Sequence, residues 1–125
     1  MTIQKALDMA DEMKPNMMSR ELKISYLSEI EQLIHDEIVL RHEHTEDEKE
    51  LPEYDRDTDP GTVLVIPDPY SMLYVYWLMS KIDLQNLEMD KYNNDRALFD
   101  NAYDNMSDWY TRTHMPLQAG MYFRV

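Results

Sequence analysis

Apolar residues recur at steps of three and four along most of this chain, which is the spacing of one face of an α-helix. The first such stretch predicts a helix over residues 3–13 that stops before Pro15. The second predicts a helix over 19–42, with Ser19 as its N-cap and Glu21 in its first turn. The apolar stripe of this second helix consists of Leu22, Tyr26, Leu27, Ile30, Leu33, Ile34 and Ile38.

The helical pattern breaks at residues 44–61, where the sequence reads HTEDEKELPEYDRDTDPG. Eight carboxylates and only two basic residues fall between positions 46 and 59. Because prolines and a glycine accompany this charge, we expect an exposed, mobile acidic loop. The next segment, TVLVI at 62–66, is rich in β-branched residues and predicts a short strand. We expect it to pair with the strand-like end of the chain, at about 120–125, in a two-stranded element that leans on the helices.

The sequence PDPY at 67–70 predicts the start of a third helix. Asp68 is expected to be its N-cap, and Pro69 would occupy the first helical position, where a missing N–H costs nothing. The residues that follow are apolar nearly all round, which is typical of a central buried helix. This helix is predicted over 69–86, with a turn at 86–88 after it.

The last helical pattern, over 88–113, places its apolar and acidic residues on different sides. The apolar stripe has heptad-like spacing and is interrupted only by Asp95. It consists of Tyr92, Phe99, Ala102, Tyr103, Met106, Trp109, Tyr110 and Thr113. Asp100, Asp104 and Asp108 lie four apart on another face, which we expect to meet water. The separation predicts amphipathic packing of a helix, not a pocket.

These elements predict a mainly α fold. We expect a single domain over 1–125 with a four-helix bundle-like core, whose last two helices form a long αα-hairpin. One continuous helix through 86–88 is the alternative. The small two-stranded β element, 62–66 with about 120–125, would complete the domain.

Composition narrows the function classes. The chain of 125 residues has no cysteine, which excludes disulfides, thiolate zinc sites and cysteine nucleophiles. A formal net charge of −13 argues against direct nucleic-acid binding and against binding to anionic membranes. No signal peptide and no run of about 18 apolar residues is seen, so no membrane span is predicted. We expect a soluble intracellular protein.

One set of side chains merits consideration as a metal site. Glu31 and His35 are four residues apart, and His42 lies two turns further along the same predicted helix. Carboxylate-bridged sites in helix bundles need Glu-x-x-His pairs from two helices, whereas this pattern is Glu-x-x-x-His and occurs once. The chain also lacks a glycine-rich phosphate loop and a serine nucleophile motif. We therefore expect no catalytic residues, no cofactor and no metal, and keep these three residues as the weak metal candidates.

The abundance of methionine and tyrosine favours partner binding instead. Eleven Met, nine Tyr and two Trp provide adaptable apolar surface. Arg112 and His114 also have a simpler interpretation, as favourable groups at a helix C-terminus before Pro116. The interface candidates are Tyr70, Tyr74, Tyr103, Tyr110, Arg112, His114, Tyr122 and Phe123.

The hairpin region carries a recognisable series of short motifs. These are YWL, an acidic turn, YNN, F-x-x-A-Y, WY and RTHMP, spread over residues 70–116. They resemble the C-terminal half of small helical head–tail connector (adaptor or head-completion) proteins of tailed bacteriophages and Gram-positive prophages. The resemblance covers a little over a third of the chain and rests mainly on packing residues. Where the hairpin turn of this family is expected to have a glycine, this chain has Leu87.

The resemblance implies a non-catalytic structural protein of the virion. Such an adaptor binds beneath the portal ring in many copies, as a homo-oligomeric ring on a template, and offers a docking surface to the next tail-completion protein. It would be found at the head–tail junction, and in the host bacterial cytoplasm during assembly. The alternatives are an acidic DNA mimic or another protein-binding helical module and, third, a helix-bundle metalloenzyme built on Glu31, His35 and His42.

Overall fold

The computed structural model describes residues 1–117, and the part of the chain that it describes is mainly helical. Its four α-helices are Ile3–Met13 (α1), Arg20–Glu37 (α2), Met72–Gln85 (α3) and Met89–Thr113 (α4). Short 3-10 turns occur at Val39–Arg41 and Glu46–Glu48. The predicted mainly α fold with four helices is confirmed.

Helix α2 begins where the sequence indicated but ends earlier. The Ser19 hydroxyl accepts a hydrogen bond of 3.1 Å from the Leu22 N–H, which confirms the predicted N-cap. The helix stops at Glu37 instead of continuing to His42. The His42 imidazole lies 2.7 Å from the Ile38 carbonyl oxygen, the group that would accept the His42 N–H in a continued α-helix. This side chain therefore competes with the backbone bond, and the chain tightens into a 3-10 turn.

Helix α3 starts at Met72, three residues later than predicted. Residues 67–70 form a turn closed by a 3.0 Å hydrogen bond from the Tyr70 N–H to the Pro67 carbonyl. Asp68 is not the N-cap, because its carboxylate accepts the Ser71 hydroxyl and Ser71 itself occupies the cap position.

Helices α3 and α4 form the predicted hairpin, and its turn is well defined. Leu87 has a φ of 58°, the left-handed conformation usually taken by glycine. The Leu87 N–H donates to Leu84 at 3.1 Å, and the Glu88 N–H donates to Asp83 at 2.9 Å. This is the hydrogen-bond pattern of a Schellman motif, so one continuous helix is excluded.

Residues 1–117 contain no β-strand, so the prediction of a strand at 62–66 is wrong. Val63 instead forms an isolated antiparallel bridge with Thr2. The Ile3 N–H donates to the Thr62 carbonyl at 3.0 Å, and the Gln4 N–H donates to the Pro60 carbonyl at 3.0 Å. The first N–H groups of α1 have no acceptor within the helix, so they are available as partners for this segment. The other expected partner, about 120–125, lies outside the described residues.

The acidic loop is mostly exposed, as predicted, and hydrogen bonds attach it to α2. Its mobility stays a prediction. The Gln32 side-chain amide donates to the Leu51 carbonyl at 2.9 Å. The His35 imidazole lies 2.7 Å from the Glu48 carbonyl oxygen. Tyr54 is buried, with 7% of its surface exposed.

Helix α3 is the centre of the fold, as its all-round apolar sequence predicted. It contacts α1, α2 and α4. One hydrophobic core includes side chains from all four helices and from the 62–66 segment. Its fully buried members include Ile3, Leu7, Leu27, Ile30, Ile34, Ile66, Leu73, Leu78, Ile82 and Met106.

Candidate functional site

A buried carboxylate lies at the junction of α2, α3 and the segment before α3. Glu31 has no exposed surface. It accepts hydrogen bonds from the Tyr74 hydroxyl at 2.5 Å, the Tyr54 hydroxyl at 3.0 Å and the Val65 N–H at 2.9 Å. Three donors thus replace the water that the carboxylate lost on burial.

The protonation behaviour of this cluster follows from its burial. Desolvation raises the pKa of Glu31, although the hydrogen bonds from Tyr74, Val65 and Tyr54 act in the opposite direction. Burial and the neighbouring Glu31 raise the pKa of both Tyr54 and Tyr74. Both phenols therefore act as hydrogen-bond donors, which is a structural role.

A second buried cluster connects α1 to the hairpin. The Lys14 ammonium lies 3.1 Å from Asp83 and 3.0 Å from Asp95. Asp83 is fully buried and Asp95 is 6% exposed. Within residues 1–117, both carboxylate oxygens of Asp83 and one of Asp95 have no hydrogen-bond donor apart from this ion-pair contact. Two buried carboxylates therefore share a single, half-buried cation.

This arrangement raises the pKa of Asp83 to about 6, because burial and the adjacent Asp95 carboxyl outweigh the attraction of Lys14. For Lys14, burial lowers the pKa, but the contacts with Asp95 and Asp83 prevail and raise it. The sequence contained one signal of this cluster, namely the position of Asp95 on the apolar stripe of α4. The interpretation of Asp95 as a mere interruption was therefore incomplete.

The three weak metal candidates do not converge. Glu31 accepts hydrogen bonds from the Tyr54 and Tyr74 hydroxyls. His35 contacts the Glu48 carbonyl. His42 contacts the Ile38 carbonyl and the Thr111 hydroxyl. No group of three or more His, Asp or Glu side chains in residues 1–117 is arranged to hold a metal ion.

Aromatic side chains form two groups along α4, and each group includes a ring from outside that helix. In the first, Trp77 and Phe99 have ring centroids 5.0 Å apart, and Phe99 and Tyr103 are 5.7 Å apart. In the second, Tyr70 stacks on Trp109 at 4.8 Å, and Tyr110 stacks on His114 at 3.8 Å. Many residues of the sequence motifs therefore build the hairpin itself.

The interface candidates divide into buried and accessible side chains. Tyr74 is fully buried and Tyr110 is 4% exposed, so both belong to the core of the protomer and offer little surface to a partner. Tyr70, Tyr103 and His114 are half-buried, and Arg112 is exposed. Tyr122 and Phe123 lie outside the described residues. Burial thus leaves four of the described candidates available for contact.

Two apolar surfaces are exposed that the sequence did not identify. The first is a groove of about 340 Å³ between α3 and α4, whose apolar lining consists of Pro69, Tyr70, Met72, Tyr76, Leu98 and Ala102. The second is the tip of the hairpin, where Leu84, Leu87 and Met89 are exposed by 36%, 84% and 52%. Exposed apolar surface of this kind is typical of contact regions.

The acidic row on α4 faces water as predicted. Asp100, Asp104 and Asp108 are all exposed, and Asp100 pairs with Arg96 at 3.1 Å. Among the described residues, no helix is both long and apolar enough to cross a membrane.

Comparison with known proteins adds no relative to this picture. No family model, no curated protein and no solved structure matches the chain.

Proposed function

We propose that this protein is a head–tail connector of a tailed bacteriophage or prophage, a non-catalytic adaptor that assembles as a ring and links the portal to the tail. The observation that carries the proposal is the series of motifs in residues 70–116. In the fold, these motif residues lie along one αα-hairpin whose aromatic side chains hold it together.

The exposed surfaces support an assembling role. A ring with head-to-tail contacts needs two different patches on each protomer, one complementary to the other. The groove that contains Tyr70 and Leu98 and the hairpin tip that contains Leu87 are two exposed apolar patches at different places on the protomer. We propose that the tip of one copy contacts the groove of the next.

Native mass spectrometry of the untagged full chain over a concentration series tests the ring. We expect a closed oligomer, or a series of species growing towards one, at the higher concentrations. A photo-cross-linking residue in place of Leu87 should then link to the groove of a second copy. A monomer at every concentration, without such cross-links, would contradict self-assembly through these patches.

A matched pair of variants makes the test specific. Leu98 is 45% exposed and lines the groove. Leu98→Lys should therefore abolish the oligomer. Asn93→Lys adds the same charge on another side of α4, at an exposed position, and should leave the oligomer intact. Equal loss in both variants would indicate a charge effect and not a contact.

A second candidate function is an acidic binding module, including a DNA mimic. The observation that favours it is the attachment of the acidic loop, since mimicry needs carboxylates held on a fixed frame. Tyr54, through Glu31, and Gln32, through the Leu51 carbonyl, attach this loop to α2. Strongly salt-dependent binding to a DNA-binding protein, lost on neutralising the loop carboxylates, would support this function over the connector.

A further inference from the structure

A second groove runs along the opposite side of α4 from the one assigned to assembly. Two adjoining depressions, of about 430 Å³ and about 610 Å³, meet at Leu33. Leu33 is the groove's exposed apolar side chain, at 39%, and the floor is formed by Trp77 and Phe99, of which 7% and 4% are exposed. The depressions are lined by side chains of α2 and α4, while Trp77 comes from the central helix α3.

The sides of this groove are strongly acidic. Five carboxylates and one guanidinium line it, namely Glu29, Asp36, Glu37, Asp100, Asp104 and Arg96. Arg96 pairs with Asp100, and Lys81 lies 3.8 Å from Glu29. Within residues 1–117, Asp36, Glu37 and Asp104 have no ion-pair partner, and Glu37 accepts a hydrogen bond from the Tyr103 hydroxyl at 3.1 Å. The groove therefore combines one exposed apolar side chain with negative charge that Lys81 and Arg96, both over the Trp77 ring, offset only in part.

The lining residues extend over about two helical turns on each side of the groove. On α2 the lining extends from residue 29 to 37, and on α4 from 96 to 104. Each side is therefore about 12 Å long at 1.5 Å per residue. Helices pack well into grooves between other helices, and an amphipathic helix presents its anchors at i, i+3, i+4 and i+7.

We propose that this groove binds an amphipathic, lysine- or arginine-rich helix of a partner protein. Its apolar side chains would rest on Leu33 and on the small accessible parts of Trp77 and Phe99. Its flanking cations would pair with Asp36, Glu37 and Asp104. Charge complementarity selects this occupant. Unlike the first groove, which is lined by uncharged residues, this groove carries carboxylates that a second copy, with its net charge of −13, would not neutralise. The proposal goes beyond the connector function and does not depend on ring assembly.

The test uses the full chain and a designed probe. The probe is an 18-residue peptide with leucines on one helical face and lysines elsewhere, and its control has the same composition in scrambled order. The chain has two tryptophans. In a Trp109→Phe background, Trp77 alone reports on the groove. We expect saturable binding of the amphipathic peptide at physiological ionic strength, and binding of the scrambled peptide about tenfold weaker, a difference of about 1.4 kcal/mol.

Variants locate the binding. Asp104→Lys should weaken binding at least tenfold. Asp108→Lys introduces the same charge change one turn further along α4, outside the groove lining, and should change it less than about twofold. Leu33→Glu should also weaken binding, by removing the apolar contact. These are surface positions, and circular dichroism checks that each variant is folded.

Three results would overturn the proposal. They are equal effects of Asp104→Lys and Asp108→Lys, equal affinity for the two peptides, and absence of saturable binding. The first two would reduce the interaction to general attraction between opposite charges. Since ring formation is measured separately by native mass spectrometry, failure of either proposal is recognised independently.

Discussion

The Tyr74 hydroxyl donates a 2.5 Å hydrogen bond to the Glu31 carboxylate, and neither side chain has exposed surface. The same hydroxyl accepts the Ile66 N–H at 3.0 Å. Through these contacts and those of Tyr54 and Val65, one buried charge joins α2, α3, the acidic loop and the segment before α3. Burial of a carboxylate costs free energy unless hydrogen-bond donors compensate it, so removal of any donor should lower the free energy of unfolding.

Replacement of Glu31 should be strongly destabilising. Glu31→Gln places an amide N–H₂ among groups that all donate, so at least one buried donor is left unpaired. We expect a loss of about 2–4 kcal/mol in the free energy of unfolding, measured by urea denaturation.

Tyr74→Phe should lower the free energy of unfolding by about 1–3 kcal/mol, because it removes one donor from the buried carboxylate. Tyr76→Phe, on the same helix but half-buried, is the control. Equal stability of the two phenylalanine variants would contradict a role for the Tyr74 hydroxyl.

Loss of the Tyr54 side chain should release the acidic loop. Tyr54 is 7% exposed, and its hydroxyl is bound to Glu31 at 3.0 Å. Lys49 and Arg56, both exposed, are trypsin sites on either side of it. We expect cleavage at these two positions to accelerate at least about tenfold in Tyr54→Ala, because the local opening free energy falls. Tyr54→Phe, which keeps the buried ring, should be cut at an intermediate rate. Unchanged cleavage in Tyr54→Ala would show that other contacts hold the loop.

The Lys14–Asp83–Asp95 cluster should make stability depend on pH between about 4 and 6. The pKa of Asp83 is raised from 3.8 to about 6 by burial and by Asp95, so the folded state binds a proton that the unfolded state has released. Its contribution to stability is fully present below pH 3.8 and is lost as the pH rises through 6. The slope approaches at most about 1.4 kcal/mol per pH unit for one proton.

Asp83→Asn isolates this contribution. The variant should lose most of the decline in stability across that pH range, while Glu31, whose pKa is also raised, continues to act in the same direction. Denaturation midpoints at several pH values, compared with those of Asp90→Asn at an exposed position, provide the measurement. Identical pH profiles for wild type and Asp83→Asn would rule out Asp83 as the titrating group.

Leu87→Gly should stabilise the protein. Leu87 has a φ of 58° and is 84% exposed, so it is strained and makes few contacts. Relief of the left-handed conformation, less the added freedom of glycine in the unfolded chain, predicts a gain of about 0.5–1 kcal/mol. Leu84→Gly, in the last turn of α3, should instead lose about 1 kcal/mol. Thermal denaturation distinguishes the two. If Leu87 contacts a neighbouring copy, Leu87→Gly should also weaken the oligomer despite its greater stability.

Local patterns in the sequence predicted the helices well, because helix formation depends on residue spacing and caps that lie close along the chain. The bounds of α1, the Ser19 cap and the exposed row of Asp100, Asp104 and Asp108 follow from such patterns. The late start of α3 and the early end of α2 were missed. At the end of α2, the His42 side chain contacts the Ile38 carbonyl that a continued helix would use. At the start of α3, a turn closed by the Tyr70 N–H and the Pro67 carbonyl delays the helix.

The sequence by itself determined a mainly α fold and the amphipathic division of α4, since these follow from short-range periodicity, and it favoured the hairpin over one continuous helix. Only the tertiary structure decided which polar residues are buried. Glu31 meets Tyr74 across 43 residues, and Lys14 meets Asp83 and Asp95 from a different helix. The pairing of 62–64 with the N-terminus likewise depends on packing. Contacts of this kind arise from long-range packing and the cost of unpaired buried charge, and no local pattern encodes them.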